Sequence, residues 1–163
     1  MSEESFIHLS YESAIKSGLE KAFQSWKNID HKPIECFWCI DMLDKVLYYS
    51  ALYHIKGTAT FNIYEGILFC ECGSPVMPKN PRVKPFPQAI KECPLSKKDK
   101  KKALRLHSEI RNRLEHPDFD SWSVSKDLLL CLIDEALDVI KMLINLKTTN
   151  HYPLNRAIEE ILE

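Results

Sequence analysis

The run PIECFWCIDMLDKVLYYSALYH, residues 33–54, decides the fold class. It reads as one long helix. Pro33 suits a first turn, where the missing N–H costs nothing, and Gly57 just beyond the run is a stop. Phe37, Trp38, Ile40, Leu43, Val46, Leu47, Tyr48, Leu52 and Tyr53 wrap most of the helix circumference instead of forming one stripe. A helix apolar all round is either central or shared with another subunit. Each helix of a four-helix protein normally keeps one wet face, so a subunit interface is expected here.

Helices are expected on both sides of this run. Ser10 is a suitable N-cap for a helix to about Asn28, in which Ala14 or Ile15, Leu19, Ala22, Phe23 and Trp26 recur at three- to four-residue spacing. Downstream, residues 57–95 carry Pro75, Pro78, Pro81, Pro85, Pro87 and Pro94, a density that stops regular structure. They are read as an irregular Pro-rich insertion, with a short helical piece over Phe61–Phe69. The third main helix starts at Ser96, where Ser-Lys-Lys-Asp resembles a capping box with Asp in place of Glu, and runs to about Glu115. Ala103, Leu106, Ile110 and Leu114 form its stripe, with His107 beside them. A fourth helix spans roughly Val124 to Lys147 behind Ser123 or Ser125. A short fifth follows Pro153. The expected fold class is all-α, an up-and-down four-helix bundle with a short C-terminal helix and the insertion between the second and third main helices. Residues 1–163 are read as a single domain.

Composition narrows the function. Four glycines in 163 residues disfavour Gly-rich nucleotide loops and all-β folds, both of which need positive-φ positions. The acidic start Met1-Ser-Glu-Glu-Ser is no basic leader, and no stretch resembles a spanning helix, so a cytoplasmic location without membrane contact is expected. The six cysteines are accordingly read first as thiols. Cys36, Cys39 and Cys131 are taken as buried small hydrophobes. Cys70, Cys72 and Cys93 could supply three zinc ligands, but the Cys-x-Cys spacing and the lack of a fourth ligand argue against it. No metal and no cofactor is expected. Net charge is −1, yet ten Lys and Arg residues lie between Lys79 and Arg105 against Glu92 and Asp99 alone. Asp118, Asp120, Asp127, Asp134, Glu135 and Asp138 are among the acids elsewhere. A segregated basic segment is a candidate polyanion footprint, or a solvated helix face.

The stretch LHSEIRNRLEHPD, residues 106–118, carries the chemistry. Arg111 is followed by the polar Asn112 and, after a short gap, by His116 and Pro117. This Arg-Asn-x3-His pattern late in an amphipathic helix resembles the signature of the HEPN family. The detailed resemblance covers Leu106 to Pro117; helix order and lengths extend it less specifically. It implies a metal-independent endoribonuclease whose Arg and His line a cleft between two protomers, with Arg111, His116 and Asn112 as site residues, acting in stress response or as a toxin or defence effector. RNA, a second copy of the chain, and an antitoxin or other partner protein are the implied partners. Where family toxins carry a modifiable tyrosine two residues after the histidine, this chain has Asp118, which puts such regulation in doubt.

The chemistry stands without the family. RNA carries its own nucleophile, the 2′-hydroxyl, beside the scissile phosphate. Histidine can transfer protons near neutrality, and arginine stays charged and grips two phosphate oxygens at once. On a straight helix Arg111 and His116 would point about 140° apart, with Arg111 near Leu104 and His107. Pro117 biases His116 out of the α region, so that a terminal His116 can turn towards a cleft. Lys97, Lys98, Lys100, Lys101, Lys102 and Arg105 open the same helix. Lysines there oppose the helix dipole, and an RNA-backbone track would explain them. The bland alternatives are that Arg111 pairs with Glu115, that His116 caps a helix end, and that Asn112 faces solvent. His107 is read as a packed, hydrogen-bonded core histidine. The rival functions are a non-catalytic HEPN module binding RNA or nucleotide or assembling with a partner, and a helical scaffold whose basic helix contacts another protein.

Overall fold

Ser10 opens the first helix, α1 (Tyr11–Asn28), through a reciprocal cap. Its hydroxyl accepts from the Ser13 N–H, and the Ser13 hydroxyl accepts from the Ser10 N–H, each at 3.1 Å. Two of the helix's orphan donors are thereby satisfied. The computed structural model describes residues 10–57, 59–111 and 124–145, with Arg111 represented by its backbone alone. Among these residues the regular elements are helices apart from one small hairpin, and the rest of the 64–85 stretch is turns and irregular chain. The expected fifth helix after Pro153 lies outside them.

The second helix, α2 (Glu35–Lys56), ends at Gly57, whose φ of 52° is the left-handed turn that glycine tolerates. Ile15, Leu19 and Ala22 of α1 pack against it. The Tyr53 hydroxyl donates to Glu12 at 2.5 Å, which ties the end of α2 to the start of α1, so the two run antiparallel. The last helix among the described residues, α5 (Lys126–Asn145), is capped by Ser125, whose hydroxyl accepts from the Leu128 N–H at 3.2 Å. Leu132, Ala136, Val139, Ile140 and Leu143 of this helix are fully buried. Lys126 reaches Asp30 at 2.8 Å, fastening the start of α5 to the α1–α2 connection.

The connection after α2 is more ordered than its prolines suggest. Its first part is a 3-10 turn, Thr60–Ile63, instead of a helix to Phe69. An antiparallel hairpin follows, β1 (Leu68–Phe69) with β2 (Pro75–Val76), in the register Leu68 to Val76. Then comes a short helix, α3 (Phe86–Glu92), which the sequence reading did not expect. Proline blocks a helix interior but suits its first turn, and here Pro85 is the N-cap and Pro87 lies in that turn. Seven residues are also too few to display a helical period. Phe86, Ala89 and Ile90 are buried, so this segment adds to the core.

The insertion and its neighbours account for α2. Its faces are taken up by α1, α3, α5, the 3-10 turn and the segment after α4. Ile40, Leu43, Val46, Leu47 and Ala51 are each at most 1% exposed. Its all-round apolarity is therefore satisfied within one chain, which corrects the argument for a subunit interface from this helix. Only the first turns depart, with Ile34 63% and Trp38 48% exposed. Cys131 is exposed rather than buried among its leucines, and Cys36 is half-buried. No helix among the described residues is long and apolar enough to cross a membrane.

Gly18 marks the closest approach of α1 to α2. A Cβ there would lie 2.5 Å from Val46 Cγ2. Val46 is fully buried, and a β-branched side chain in a helix has one strongly preferred rotamer, so it cannot swing aside. The Gly18→Ala change would gain about 1 kcal/mol in helix propensity, against roughly 1–3 kcal/mol for overpacking. Urea unfolding should show a net loss in Gly18→Ala, and a neutral or stabilising effect of the same change in a Val46→Ala background. Equal effects in both backgrounds would show that the two helices do not meet there.

Candidate functional site

Ser96 begins α4 (Lys97–Arg105) as expected, its hydroxyl accepting from the Asp99 N–H at 3.2 Å. The Asp99 carboxylate accepts from that same hydroxyl at 2.5 Å, so the aspartate braces the cap instead of closing a full box. The helix does not continue with uniform winding to Glu115. From Leu106 to Arg111 the backbone is π-wound. Such turns hydrogen-bond from i to i+5, are rare, and occur frequently at functional sites. The phase of the residues from His107 to Arg111 is thereby shifted, so a position for Arg111 beside Leu104 no longer follows from straight-helix geometry.

Packing explains what the π turn achieves. Leu106 and Ile110 are at most 1% exposed, holding the segment in the core from both ends. Between them, His107 faces α2. Its Nδ1 lies 3.0 and 3.2 Å from the two carboxylate oxygens of Asp44, a residue only 5% exposed. A buried carboxylate is costly unless it accepts hydrogen bonds. Because an ionised carboxylate only accepts, Nδ1–H is the donor to it, which leaves Nε2 outside this contact. The Phe86 ring packs at 5.1 Å from the imidazole, so the unexpected helix α3 forms one wall of this site. His107 is thus the packed, hydrogen-bonded histidine expected from the sequence, and its partner Asp44, 63 residues away, is the one not expected. Of the two aspartates on α2, Asp41 pairs with Lys45 one turn on, and Asp44 is the one that falls among buried apolar positions.

The backbone of Arg111 closes the π segment, about one turn after His107. Asn112 and His116 lie outside the described residues, as does the suggested Arg111–Glu115 pair.

The basic track divides into two groups. Lys97, Lys98 and Lys101 are exposed and have no ion-pair partner among the described residues. The other three expected contacts are engaged by the chain itself. Lys100 Nζ donates to the Lys91 carbonyl at 2.6 Å, and Lys102 meets Asp138 at 3.3 Å. Arg105 forks between Glu109 at 3.0 Å and Glu135 at 2.7 Å. The hydrogen bond that Arg105 donates to Glu109 and the charge of both carboxylates hold its pKa above the ordinary arginine value. The basic and acidic segments separated in the sequence are thus partly each other's partners, α4 lying against α5.

Four of the six cysteines, Cys36, Cys39, Cys93 and Cys131, are thiols as expected, and two are not. Cys70 and Cys72 form a disulfide. Cys93 is 1% exposed, and its thiol donates to the Ala89 carbonyl at 3.3 Å. The three sulfurs considered as zinc ligands are therefore committed elsewhere. Among the described residues no group of three or more His, Cys, Asp or Glu side chains could hold a metal ion. Between the start of α1 and the end of α2 lies a hollow of about 670 Å³ lined by Tyr11, Tyr49, Tyr53, Tyr64 and Lys56, away from the π segment. The chain matches no family model, no curated protein and no solved structure.

The Asp44–His107 bond should be measurable as a coupling. His107→Ala should lower unfolding free energy by about 1.5–3 kcal/mol, the range for a hydrogen bond to a charged group. In an Asp44→Asn background the same change should cost clearly less. A double-mutant cycle with no coupling energy would mean the pair does not form in solution.

Proposed function

We propose that this chain is a HEPN-type, metal-independent endoribonuclease that works as a homodimer in the cytoplasm. In this reading its helices form an up-and-down four-helix bundle, and Arg111, Asn112 and His116 of two protomers line one cleft. The observation that carries it is local. The helix bearing Arg111 abandons regular winding just before the motif and sets an Asp-anchored imidazole about one turn from that arginine. Uneven winding is an unfavourable way to build a purely structural helix. Lys97, Lys98 and Lys101, exposed upstream on the same helix, supply positive charge for a phosphate backbone. Exposed Ile34, Trp38, Leu128 and Leu130 offer apolar surface to a second protomer.

In the proposed reaction the RNA 2′-oxygen attacks the adjacent phosphorus and loses its proton to a histidine base. The bond to the 5′-oxygen breaks, and that oxygen takes a proton from an imidazolium. The products carry a 2′,3′-cyclic phosphate and a 5′-hydroxyl. Arg111 bears the charge that accumulates on the phosphorane oxygens, and His116 handles protons. His107 is the second imidazole available for this chemistry, its Nδ1–H held by Asp44. A toxin or defence effector, held in check by a partner protein, is the corresponding biological role.

Labelled RNA incubated with the protein in EDTA should be cut to fragments ending in cyclic phosphate. Arg111→Ala and His116→Ala should each lower the rate by about a hundredfold or more, the usual range for a lost acid–base or charge-stabilising group. Binding without cleavage would favour the non-catalytic RNA- or nucleotide-binding module, which the same lysines would serve. Neither binding nor cleavage would leave a scaffold whose basic helix contacts protein.

The split of the basic track gives a second measurement. Replacing Lys97, Lys98 and Lys101 together by Ala should flatten the dependence of log K on log salt by about 2, near 0.7 per lost phosphate contact on a single strand. Replacing Lys100 and Lys102 should change it much less. The opposite ranking would place the RNA track on the other side of the helix.

A further inference from the structure

The Cys70–Cys72 disulfide has no obvious structural task. It spans one intervening residue, Glu71, and joins no two elements. The hairpin loop around it is already closed by backbone bonds. Cys70 N–H donates to the Ser74 carbonyl at 3.0 Å, and Gly73 N–H donates to the Cys70 carbonyl at 2.8 Å, with Gly73 at φ 79°. A cross-link over so short a loop also removes little entropy from the unfolded chain compared with one over a long loop. The bond is accessible, since Cys72 is exposed and Cys70 half-buried. Accessible disulfides are the labile, regulatory or catalytic ones. In a reducing compartment, disulfides are typically transient and catalytic or redox-sensing.

Two neighbouring features point to chemistry. The Ser74 hydroxyl oxygen lies 3.4 Å from Cys72 Sγ, so a polar group stands beside that sulfur. Leu68, Phe69, Val76 and Met77, the residues of the two strands and their margin, are between 43% and 69% exposed. Four large apolar side chains on one small hairpin are more than scattered surface residues. They suit contact with an apolar chain segment.

We propose that the hairpin is a thiol–disulfide exchange site whose substrates are cysteine pairs in apolar, unfolded polypeptide. A client thiolate attacks Cys70 Sγ, the Cys70–Cys72 bond breaks, and Cys72 leaves as a thiolate and then takes a proton. The second client thiolate attacks the client sulfur of the mixed disulfide and expels Cys70, which is protonated in turn. Two electrons and two protons pass from the client dithiol to the protein, which ends with two thiols while the client gains a disulfide. A second disulfide compound, such as oxidised glutathione, returns the pair to its starting state. Cys39 and Cys93 stay outside this exchange: they are buried, and burial pushes their thiols up to about 12 and about 11. This activity is independent of the RNA reading.

The test uses full-length protein oxidised with diamide and freed of reagent, mixed without oxygen with synthetic two-cysteine peptides. One peptide carries leucine beside each cysteine, the other serine. Mass spectrometry should show the peptide two hydrogens lighter and new thiols at positions 70 and 72 only. The leucine peptide should react about tenfold faster, the scale of burying one such side chain. That preference should vanish in Leu68→Ser/Phe69→Ser, which keeps the disulfide. Cys70→Ser/Cys72→Ser, with its helical circular dichroism intact, should oxidise neither peptide. Failure of the pair to oxidise with diamide, thiols appearing at other positions, or equal rates for the two peptides with the parent protein would each overturn the proposal.

Discussion

A helix that is apolar around most of its circumference has to be enclosed, and in this chain that requirement organises everything else. Enclosing α2 takes α1 on one side, α5 and the π segment on others, and the short helix α3 over what remains. Each fully buried Ile, Leu or Val on it contributes roughly 1.5–3 kcal/mol. This apolar surface, more than any polar contact, holds the elements in place. It also explains why the connection after α2 is folded at all. A loose loop there would leave Tyr48 and its neighbours in water; instead the Tyr48 hydroxyl donates to the Lys84 carbonyl at 2.6 Å, and the Phe86 ring packs 5.9 Å from that of Tyr48.

Within that enclosure the polar contacts are few and specific. Asp44 lies on the buried surface of α2 and is compatible with it because His107 donates to it. Arg105 performs the corresponding service between α4 and α5, its planar fork meeting Glu109 and Glu135 at once. The two contacts flank the point where winding changes. Together with buried Leu106 and Ile110, they give the irregular segment fixed neighbours on both sides.

The sequence revealed the long elements well because their signals are local. Ser10, Gly57, Ser96 and Ser125 sit at helix ends through their own side chain or backbone. The spacing of Ile15, Leu19 and Ala22 is enough to orient α1. What stayed hidden depends on the tertiary partner. Proline was read as a breaker at positions 85 and 87, where it starts a helix once Phe86 and Ile90 have a core to enter. Apolarity around α2 was read as a second subunit, since one-dimensional pattern does not distinguish a neighbour in the same chain from one in another. The lysine run resembles an anion track, but half of the assigned group meets acceptors on α5, on the π segment after α4, or on α3. The disulfide was missed because compartment was inferred first and cysteine state from it.

The π turn has a consequence for how this segment carries information. A helix with wider winding over Leu106–Arg111 accommodates surplus length without moving its anchors, so Leu106 and Ile110 both remain in the interior while His107 between them faces Asp44. Removing a single residue between those anchors would let the backbone return to ordinary winding, and the imidazole of His107 would no longer meet Asp44 in the same way. Spacing is therefore as much a part of this site as residue identity, and a chain of similar composition one residue shorter here would share its letters without sharing its geometry.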